Sequence, residues 1–269
     1  MRIISLLTDF GLKDNFVGVV KAVILSINKD VEIVDITHQI LRHNIYEASF
    51  LLLNSFRFFP KGTIFLVVVD PGVGSSRYPI AIKTRNYYFV GPDNGVLSLA
   101  AEKDFIEKIV ILEDEKYFLK NISSTFHARD IFAPVAAYIS KKIPINKFGK
   151  KLDTIKKIEI PSIKMTKDFI YAKIIYQDNF GNLVTNLKKV ELLEFLKNAD
   201  FVAILNNKRI YKIYNCYSQA KDSEPFFIEG SFSFLEIAIK NKSAANFFRI
   251  KDKNFIDFFI RKRDYKREV

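Results

Sequence analysis

The sequence predicts an α/β fold in two parts: an N-terminal, mostly parallel sheet flanked by helices, and a C-terminal antiparallel β-barrel domain. The N-terminal part alternates short apolar runs with segments of helical periodicity, which is typical of parallel β-α-β units. The remainder has short strands separated by polar turns, which favours a small antiparallel barrel. A chain of 269 residues is long enough for both parts. We place the two domains at residues 1–160 and 161–269.

The N-terminal elements follow one another in the order β-α-β-α-β. Apolar and β-branched residues run together in three predicted strands, at 2–8, 32–37 and 63–69. Between the first two strands, helical spacing predicts a helix over 15–28 with Asp14 as its cap. The second predicted helix begins near Asn44, whose spacing from Glu47 is typical of a capping signal. It ends before Pro60.

The pattern changes after the third strand. Residues 80–84 and 87–90 predict a hairpin, and a turn-rich stretch and a short helix follow it. A further strand is predicted over 108–113. The next helix tolerates Pro134 if it begins near residues 131–133, because a proline in the first turn breaks no helical hydrogen bond.

The C-terminal part is predicted to be largely β-structure. Residues 141–167 are interpreted as the connection between the domains, with some irregular strand. One helix is predicted over 190–197. The predicted strands are 169–177, 183–187, 200–205, 209–214, 231–239 and 254–260.

The composition is typical of a globular protein, and we expect this protein to act in the cytoplasm. No apolar run approaches the roughly 20 residues that a membrane-spanning helix needs. The first residues, MRIISLLTDFG, lack a small-residue cleavage site and are interpreted as a strand rather than a signal peptide. A single cysteine, Cys216, excludes an internal disulfide and fits a reducing compartment. Three histidines and one cysteine make a Cys/His zinc site an unfavourable interpretation.

The net charge of +12 raises the question of a polyanion partner. Most of the basic residues are lysines spread along the chain, with a local cluster only in the final RKRDYKREV. A solvated lysine-rich surface is therefore the favoured interpretation, and nucleic-acid binding is the weaker alternative.

Four polar stretches interrupt the strand pattern, at 8–15, 70–77, 124–130 and 178–186. The first two follow the ends of predicted parallel strands, where ligands bind in open α/β sheets. We therefore expect Asp9, Asp14, Asp70 and Arg77 to share one crevice.

Each of these residues also has an ordinary structural interpretation. An Asp-Pro-Gly sequence such as that at Asp70 is a common turn, and Arg77 could form a surface ion pair worth about 0–1 kcal/mol. His127 could be a cap-region residue. Dinucleotide, P-loop and nucleophile-elbow motifs are absent from the sequence. Together, however, an acid, an arginine and a histidine near strand ends could polarise a water molecule.

The polar stretches, taken in order, resemble the S-adenosyl-L-methionine hydroxide adenosyltransferases, relatives of the fluorinases and chlorinases. The matching blocks include LLTDFGLKDNFVGVVKAVI, FLVVVDPGVGSSR, STFHARDIFAPVAA, DNFGNLVTN and SFSFLEIA. The resemblance covers nearly the whole chain. It implies hydrolysis of S-adenosyl-L-methionine to adenosine and L-methionine, by attack of water or hydroxide on the ribose C5′. It also implies a homotrimer with the ligand between subunits, and no cofactor or metal.

The resemblance assigns roles to individual residues. The water-activating triad falls on Asp70, Arg77 and His127, and the ribose-binding acid on Asp9. The resemblance also implies a set of residues around the methionine and adenine moieties of the substrate, namely Asp14, Asp178, Ser231 and Phe232 for methionine, and Phe180, Asn182 and Tyr217 for adenine.

The chain departs from the family pattern at Leu41, Arg42 and His43, where relatives carry prolines and an aromatic residue. This departure affects the wall beside the ribose, and His43 itself is interpreted as a packing or surface residue. Two alternative functions stay open. One is a halogenase of the same fold, against which the Asp-Arg-His combination argues. The other is a non-catalytic module that binds the nucleoside ligand or RNA.

Overall fold

A computed structural model describes residues 2–250 and 255–263. The chain divides into two compact units, Met1–Glu159 and Ile160–Val269. No helix within the described ranges is long and apolar enough to cross a membrane.

The first unit contains a seven-stranded sheet in the order β2-β1-β3-β5-β4-β6-β7. Its strands are β1 Arg2–Thr8, β2 Val31–Thr37, β3 Ile64–Val68, β4 Pro79–Thr84, β5 Tyr88–Pro92, β6 Ile106–Ile111 and β7 Lys151–Leu152. Its helices are α1 Phe16–Ile27, α2 Ile45–Ser55, α3 Ser98–Lys103 and α4 Ala133–Ser140. Strands β2, β1, β3 and β5 run parallel, and the β5-β4, β4-β6 and β6-β7 pairs are antiparallel.

Both faces of this sheet are buried. Along β3, Leu66 and Val68 pack in the core beneath α1 and α4, whereas Phe65 and Val67 pack in the core beneath α2 and α3. Because successive strand residues point to opposite faces, a strand covered by helices on both sides is apolar throughout. The predicted parallel strands and the hairpin are confirmed.

The helix starts are governed by local polar groups. The predicted cap at Asn44 is confirmed, since its side chain accepts a hydrogen bond from the Glu47 N–H at 3.0 Å. The prediction of Asp14 as the cap of α1 is wrong. Asn15 occupies that position in a helical conformation, without a side-chain cap. As expected, α4 begins at Ala133 and holds Pro134 in its first turn.

The second unit contains a nine-stranded sheet that is mostly antiparallel, in the order β12-β11-β16-β9-β10-β15-β14-β13, with β8 paired to β9. Its helices are α5 Lys189–Leu196 and α6 Ala244–Phe247. The strands are β8 Lys164–Met165, β9 Phe169–Gln177, β10 Leu183–Thr185, β11 Phe201–Leu205, β12 Lys208–Ile210, β13 Ile213–Tyr214, β14 Pro225–Glu229, β15 Leu235–Ile239 and β16 Ile256–Lys262. Among the described strands of this second unit, only β13 and β14 pair in parallel.

Two strand predictions for this unit need correction, and one strand was missed. The predicted strand 209–214 divides into β12 and β13, and β14 was not predicted because its sequence follows a weakly patterned polar stretch. The predicted strand 231–239 begins only at Leu235. A turn precedes it, in which Ser233 has a φ of 62° and donates its N–H to the Gly230 carbonyl. Residue 254, at the start of the last predicted strand, lies outside the described residues.

Candidate active site

Two polar loops leave the sheet of the first unit at the same edge. Strands β1 and β3 are parallel neighbours, and their last residues, Thr8 and Val68, lie opposite each other in the ladder. Asp9 directly follows the first strand, and Asp70 comes two residues after the second. The expectation that these acids lie at one edge of the sheet agrees with the register.

Asp70 and Arg77 form a buried ion pair. The Arg77 Nε donates to both carboxylate oxygens of Asp70, at 3.1 and 3.0 Å, and Nη2 also donates to Oδ2. Both side chains are about 5% exposed, so water screens their attraction far less than at a surface. The alternative of an ordinary surface ion pair is therefore excluded.

His127 completes the cluster through the same guanidinium nitrogen that donates to Asp70. Its Nδ1 lies 2.9 Å from the Arg77 Nη2. Arginine has no acceptor and stays charged, so Nδ1 accepts this hydrogen bond and the ring proton is placed on Nε2. Burial and, next, the nearby Arg77 charge lower the pKa of His127, and Asp70 and Asp130 partly oppose them. The imidazole is therefore neutral at pH 7.

One guanidinium nitrogen of Arg77 remains available. Its Nη1 is buried and has no hydrogen-bond partner among the described residues. The guanidinium carbon also lies 5.3 Å from the centre of the Phe132 ring, a distance typical of a cation–π contact. A buried donor without an acceptor is costly, so this group is suited to a ligand oxygen.

Gly74 allows the two loops of the cluster to approach each other. It has a φ of +75°, and a Cβ at this position would lie 2.4 Å from the backbone oxygen of Ser124. The loop that carries Arg77 therefore packs directly on the backbone of the loop that carries His127. A side chain at this position would separate these loops, which explains the glycine at residue 74.

The backbone after His127 is an irregular helix. Ala128–Phe132 forms a π-helical turn before α4, a feature frequent at functional sites. Asp130 is fully buried in this turn and accepts hydrogen bonds from Arg129 and from the Ser123 N–H. These contacts fix the loop from both sides of His127.

Three aromatic rings join the first loop to the His127 loop. Phe10, Phe16 and Phe126 pack edge to face, with ring centres 5.2–6.0 Å apart. Phe10 lies within the first polar stretch, Phe16 directly follows it, and Phe126 immediately precedes His127. This contact brings the 8–15 and 124–130 stretches together, and sequence analysis did not single out these rings.

Asp9 is held by a residue from a third segment. The backbone N–H of His43 donates to its Oδ2 at 2.9 Å. His43 has a φ of 64° and an exposed side chain, so its contribution here comes from the backbone. Asp14 is exposed, and no contact joins it to the Asp70 cluster among the described residues.

A second polar cluster lies within the second unit. Asn182 donates to both oxygens of Asp178, through its backbone N–H and its Nδ2, each at 2.8 Å. The same Nδ2 lies 3.2 Å from the Tyr217 hydroxyl. Phe180 is at the tip of the turn between these residues and is 80% exposed. Thus Asp178, Asn182 and Tyr217 lie together, although Tyr217 is in the weakly patterned stretch.

Glu236 is a member of this region that sequence analysis missed. It is 8% exposed, and burial followed by the Asp178 charge raises its pKa to about 7. No hydrogen bond reaches its carboxyl group from the described part of the chain. Gly230 lies against it, since a Cβ there would be 1.8 Å from Oε1. The sequence signal that could have identified Glu236 is a single acid within the apolar run FLEIA.

The remaining predicted site residues, Ser231 and Phe232, lie in the turn that follows Gly230. Ser231 is exposed and Phe232 is half-buried, and the contacts described above do not include them. Within the described residues, no group of three or more His, Cys, Asp or Glu side chains is arranged to hold a metal ion.

Comparisons with known proteins agree with the blocks that sequence analysis identified. The family model described as "SAM hydroxide adenosyltransferase N-terminal domain" matches residues 4–149, and the corresponding C-terminal domain model matches residues 172–256. The chain is 38% identical over 250 residues to an (R)-S-adenosyl-L-methionine hydrolase of Methanocaldococcus jannaschii, covering 88% of each chain. It is 24% identical over 217 residues to a fluorinase of an Actinoplanes species, covering 71% of this chain and 73% of the fluorinase.

A solved structure supports the same grouping. The chain resembles a crystal structure of an uncharacterized conserved protein from Thermotoga maritima, with a TM-score of 0.88 and 35% sequence identity. The match covers 96% of this chain and 100% of the Thermotoga maritima chain. The two family models together cover most of the chain, and the hydrolase relative aligns with both. This chain therefore belongs to the SAM hydroxide adenosyltransferase family.

Proposed function

We propose that this protein hydrolyses S-adenosyl-L-methionine to adenosine and L-methionine. The observation that carries the proposal is the buried cluster in which Arg77 bridges Asp70 and His127 and keeps one N–H without a partner. Family membership and the similarity to a named hydrolase support the same reaction.

The reaction replaces one bond at C5′ of the ribose with another. An oxygen lone pair of water forms the C5′–O bond while the C5′–S bond breaks, and the electron pair of that bond neutralises the sulfonium. The departing methionine is a neutral thioether, so its departure needs no general acid. Catalysis then depends on placing one water in line with the C5′–S bond and on excluding the rest.

The cluster around Arg77 is suited to this water. In our proposal the free Nη1 of Arg77 and the Nε2–H of His127 donate to its oxygen, and Asp70 accepts one of its protons. A fixed positive charge in a poorly screened site favours hydroxide over water, because it stabilises the negative charge that forms as the proton leaves. The neutral state of His127 leaves Arg77 as the source of this positive charge.

The other predicted residues would hold the substrate. Asp9 would accept from the ribose hydroxyls, and Asp14 and Asp178 would contact the ammonium group, with Ser231 and Phe232 near the methionine. Carboxylates provide suitable acceptors for hydroxyl and ammonium donors. The adenine would lie near Phe180, Asn182 and Tyr217. The exposed Phe180 and the half-exposed Tyr217 support this part, since aromatic faces stack on flat bases.

The assembly belongs to the proposal as well. We expect a homotrimer, a closed barrel in the second unit, action in the cytoplasm, and a reaction without a metal or cofactor. Light scattering of the purified protein would measure the mass of the assembly, and a mass of one chain would contradict the trimer. Turnover after exhaustive treatment with a chelator tests the expectation that no metal is needed.

The central experiment is incubation of pure protein with S-adenosyl-L-methionine, followed by chromatography. We expect adenosine and methionine in equal amounts, and labelled water should place its oxygen on C5′ of adenosine. Parallel reactions with added chloride or fluoride test the halogenase alternative, which would yield a 5′-halo-5′-deoxyadenosine. Ligand binding without any product would favour the non-catalytic module instead.

A further inference from the structure

A chain of side-chain contacts, with a buried imidazole and a buried hydroxyl, lies next to Asp9 on the strands that carry the site. His38 follows β2, and its Nδ1 lies 2.8 Å from the Thr8 Oγ1 at the end of β1. Its Nε2 lies 3.2 Å from Oδ1 of Asp35, within ion-pair distance but without the geometry of a hydrogen bond. The Asp35 Oδ2 accepts a hydrogen bond from the Lys21 Nζ at 2.6 Å. The order of groups is thus carboxylate, imidazole, hydroxyl.

The local strand geometry brings these groups together. The β1-β2 ladder shifts by one residue, so that Leu6 pairs with Asp35 but Leu7 pairs with Thr37. Because β2 carries one more residue than β1 across this shift, Asp35 and His38 lie closer together along the ladder than in a regular pair of strands. The imidazole can therefore contact both Asp35 and Thr8.

Burial decides what this arrangement can do. His38 is 4% exposed and Thr8 is 3% exposed. A hydroxyl this buried cannot attack a substrate, so the carboxylate–imidazole–hydroxyl order does not indicate a nucleophile here. The remaining role is to hold the backbone in place.

The protonation state follows from the neighbouring donors. The Phe10 N–H approaches the Thr8 hydroxyl oxygen at 3.3 Å, which leaves the Thr8 proton available for His38 Nδ1. The ring proton is then placed on Nε2, facing Asp35. Burial is the largest cause that lowers the pKa of His38, Lys21 adds to it and Asp35 opposes it, so the ring is neutral at pH 7.

The same segment also holds Asp9 directly. The Gly11 N–H donates to the His38 carbonyl at 2.8 Å, and the His43 N–H donates to the Asp9 Oδ2 at 2.9 Å. The other Asp9 oxygen, Oδ1, accepts no hydrogen bond from the described residues. Three contacts therefore join the loop after β1 to the segment after β2, and they leave one carboxylate oxygen of Asp9 available.

We propose that His38 is a positioning residue for the ribose: through Thr8 it fixes the loop that presents Asp9 to the vicinal hydroxyls of the substrate. This inference rests on the proposed function, in which Asp9 binds those hydroxyls. It assigns to His38 and Thr8 a share of the affinity for the ribose, although neither touches it.

The test compares two nucleosides that differ only in these hydroxyls. Calorimetry with the full-length protein measures the affinity for adenosine and for 2′,3′-dideoxyadenosine. In Thr8→Val and in His38→Phe we expect adenosine to bind about tenfold more weakly, equivalent to about 1.4 kcal/mol. The affinity for the dideoxynucleoside should stay the same. The double variant should bind adenosine no more weakly than either single variant, because both substitutions interrupt the same chain of contacts.

Two control variants separate positioning from general destabilisation. Thr8→Ser keeps the hydroxyl and should restore most of the adenosine affinity. Thr84→Val removes a hydroxyl that is as buried as that of Thr8 and donates a hydrogen bond to Asp104 at 2.6 Å. Thr84 lies at the opposite end of the sheet from the site, so this substitution should leave adenosine binding unchanged.

The measurements distinguish failure of the positioning role from failure of the proposed function. Unchanged adenosine affinity in Thr8→Val, or an equal loss for both nucleosides, overturns the positioning role while hydrolysis by the wild-type protein stands. Wild-type protein that neither binds adenosine nor forms it from S-adenosyl-L-methionine overturns the proposed function and this inference together.

Discussion

In the first unit, the buried carboxylate of Asp70 forms an ion pair with Arg77. In the second unit, the buried carboxyl of Glu236 lies near another acid, Asp178. Charge in the first cluster is balanced by residues of the chain itself. Charge in the second cluster is not balanced in this way among the described residues, so burial and, next, the Asp178 charge raise the pKa of Glu236. The carboxylate of the first cluster thus has its counter-charge before any ligand binds, whereas the second cluster is suited to a cationic group from outside.

Removing Arg77 should disrupt the balanced cluster most strongly. We expect Arg77→Ala to lower turnover about a thousandfold, or about 4 kcal/mol, the upper range for loss of a preorganised donor. The substitution also leaves Asp70 buried without its cation, which lowers the free energy of unfolding by up to about 3–5 kcal/mol. Adenosine formation and thermal unfolding measure the two effects separately.

Arg77→Lys is the matched control, since it retains the charge but loses the planar group that reaches both Asp70 and His127. It should unfold closer to the wild-type temperature than Arg77→Ala and still be far less active. Full activity in either variant would reduce Arg77 to a structural residue.

A methyl group at Gly74 should separate the loops of the first cluster. Gly74→Ala places a Cβ against the Ser124 carbonyl and adds the strain of a positive φ, which costs about 1–3 kcal/mol. We expect turnover to fall about tenfold to a hundredfold, because displacement of His127 and Arg77 by 1 Å has effects of this size.

Gly62→Ala is the control for Gly74→Ala. Gly62 has a φ of +88° and no atom within 4 Å of the added Cβ, so it carries the backbone strain without the collision. It should lose stability and retain turnover. Equal loss of turnover in both variants would contradict the role of loop contact.

The unbalanced acid of the second unit should make stability depend on pH. Because the pKa of Glu236 is raised to about 7 from 4.5, the folded protein binds more protons than the unfolded one between those values. The free energy of unfolding therefore falls as pH rises from about 4.5 to 7, by at most about 1.4 kcal/mol per unit.

Glu236→Gln removes this charge with little change of shape. Denaturant unfolding across the pH range should give a flatter profile for the variant, with the largest gain in stability above pH 7. Parallel profiles for the two proteins would mean that Glu236 ionises normally.

The weakest contact tested is that of Tyr217. Tyr217→Phe removes the hydroxyl that lies 3.2 Å from Asn182, and we expect a stability loss of at most about 1 kcal/mol. Adenosine affinity should fall only a few-fold, since the ring remains. Tyr211→Phe, also in the second unit, is a control, and an equal loss of affinity there would contradict a specific role for Tyr217.

Much of the first unit could be predicted because its signals are local. Apolar strands followed by Asp9 and Asp70 identify the edge of the sheet, and the turn-rich stretch after Asp70 indicates that Arg77 folds back. The π-helical turn and the packing of Gly74 on Ser124 could not be predicted, because they depend on contacts between distant segments. The same holds for the second unit, where burial of Glu236 depends on which strands become its neighbours.

The contact between Arg77 and His127 joins residues 50 positions apart in the chain. The antiparallel strands β4 and β6 lie between them, so the cluster forms only after that half of the sheet has paired. Long-range contacts of this kind close late, since a large loop must be ordered first. We therefore expect a chain emerging from the ribosome to have its strands and Asp70 in place well before it acquires a competent water site. An incomplete chain would then consume none of the substrate.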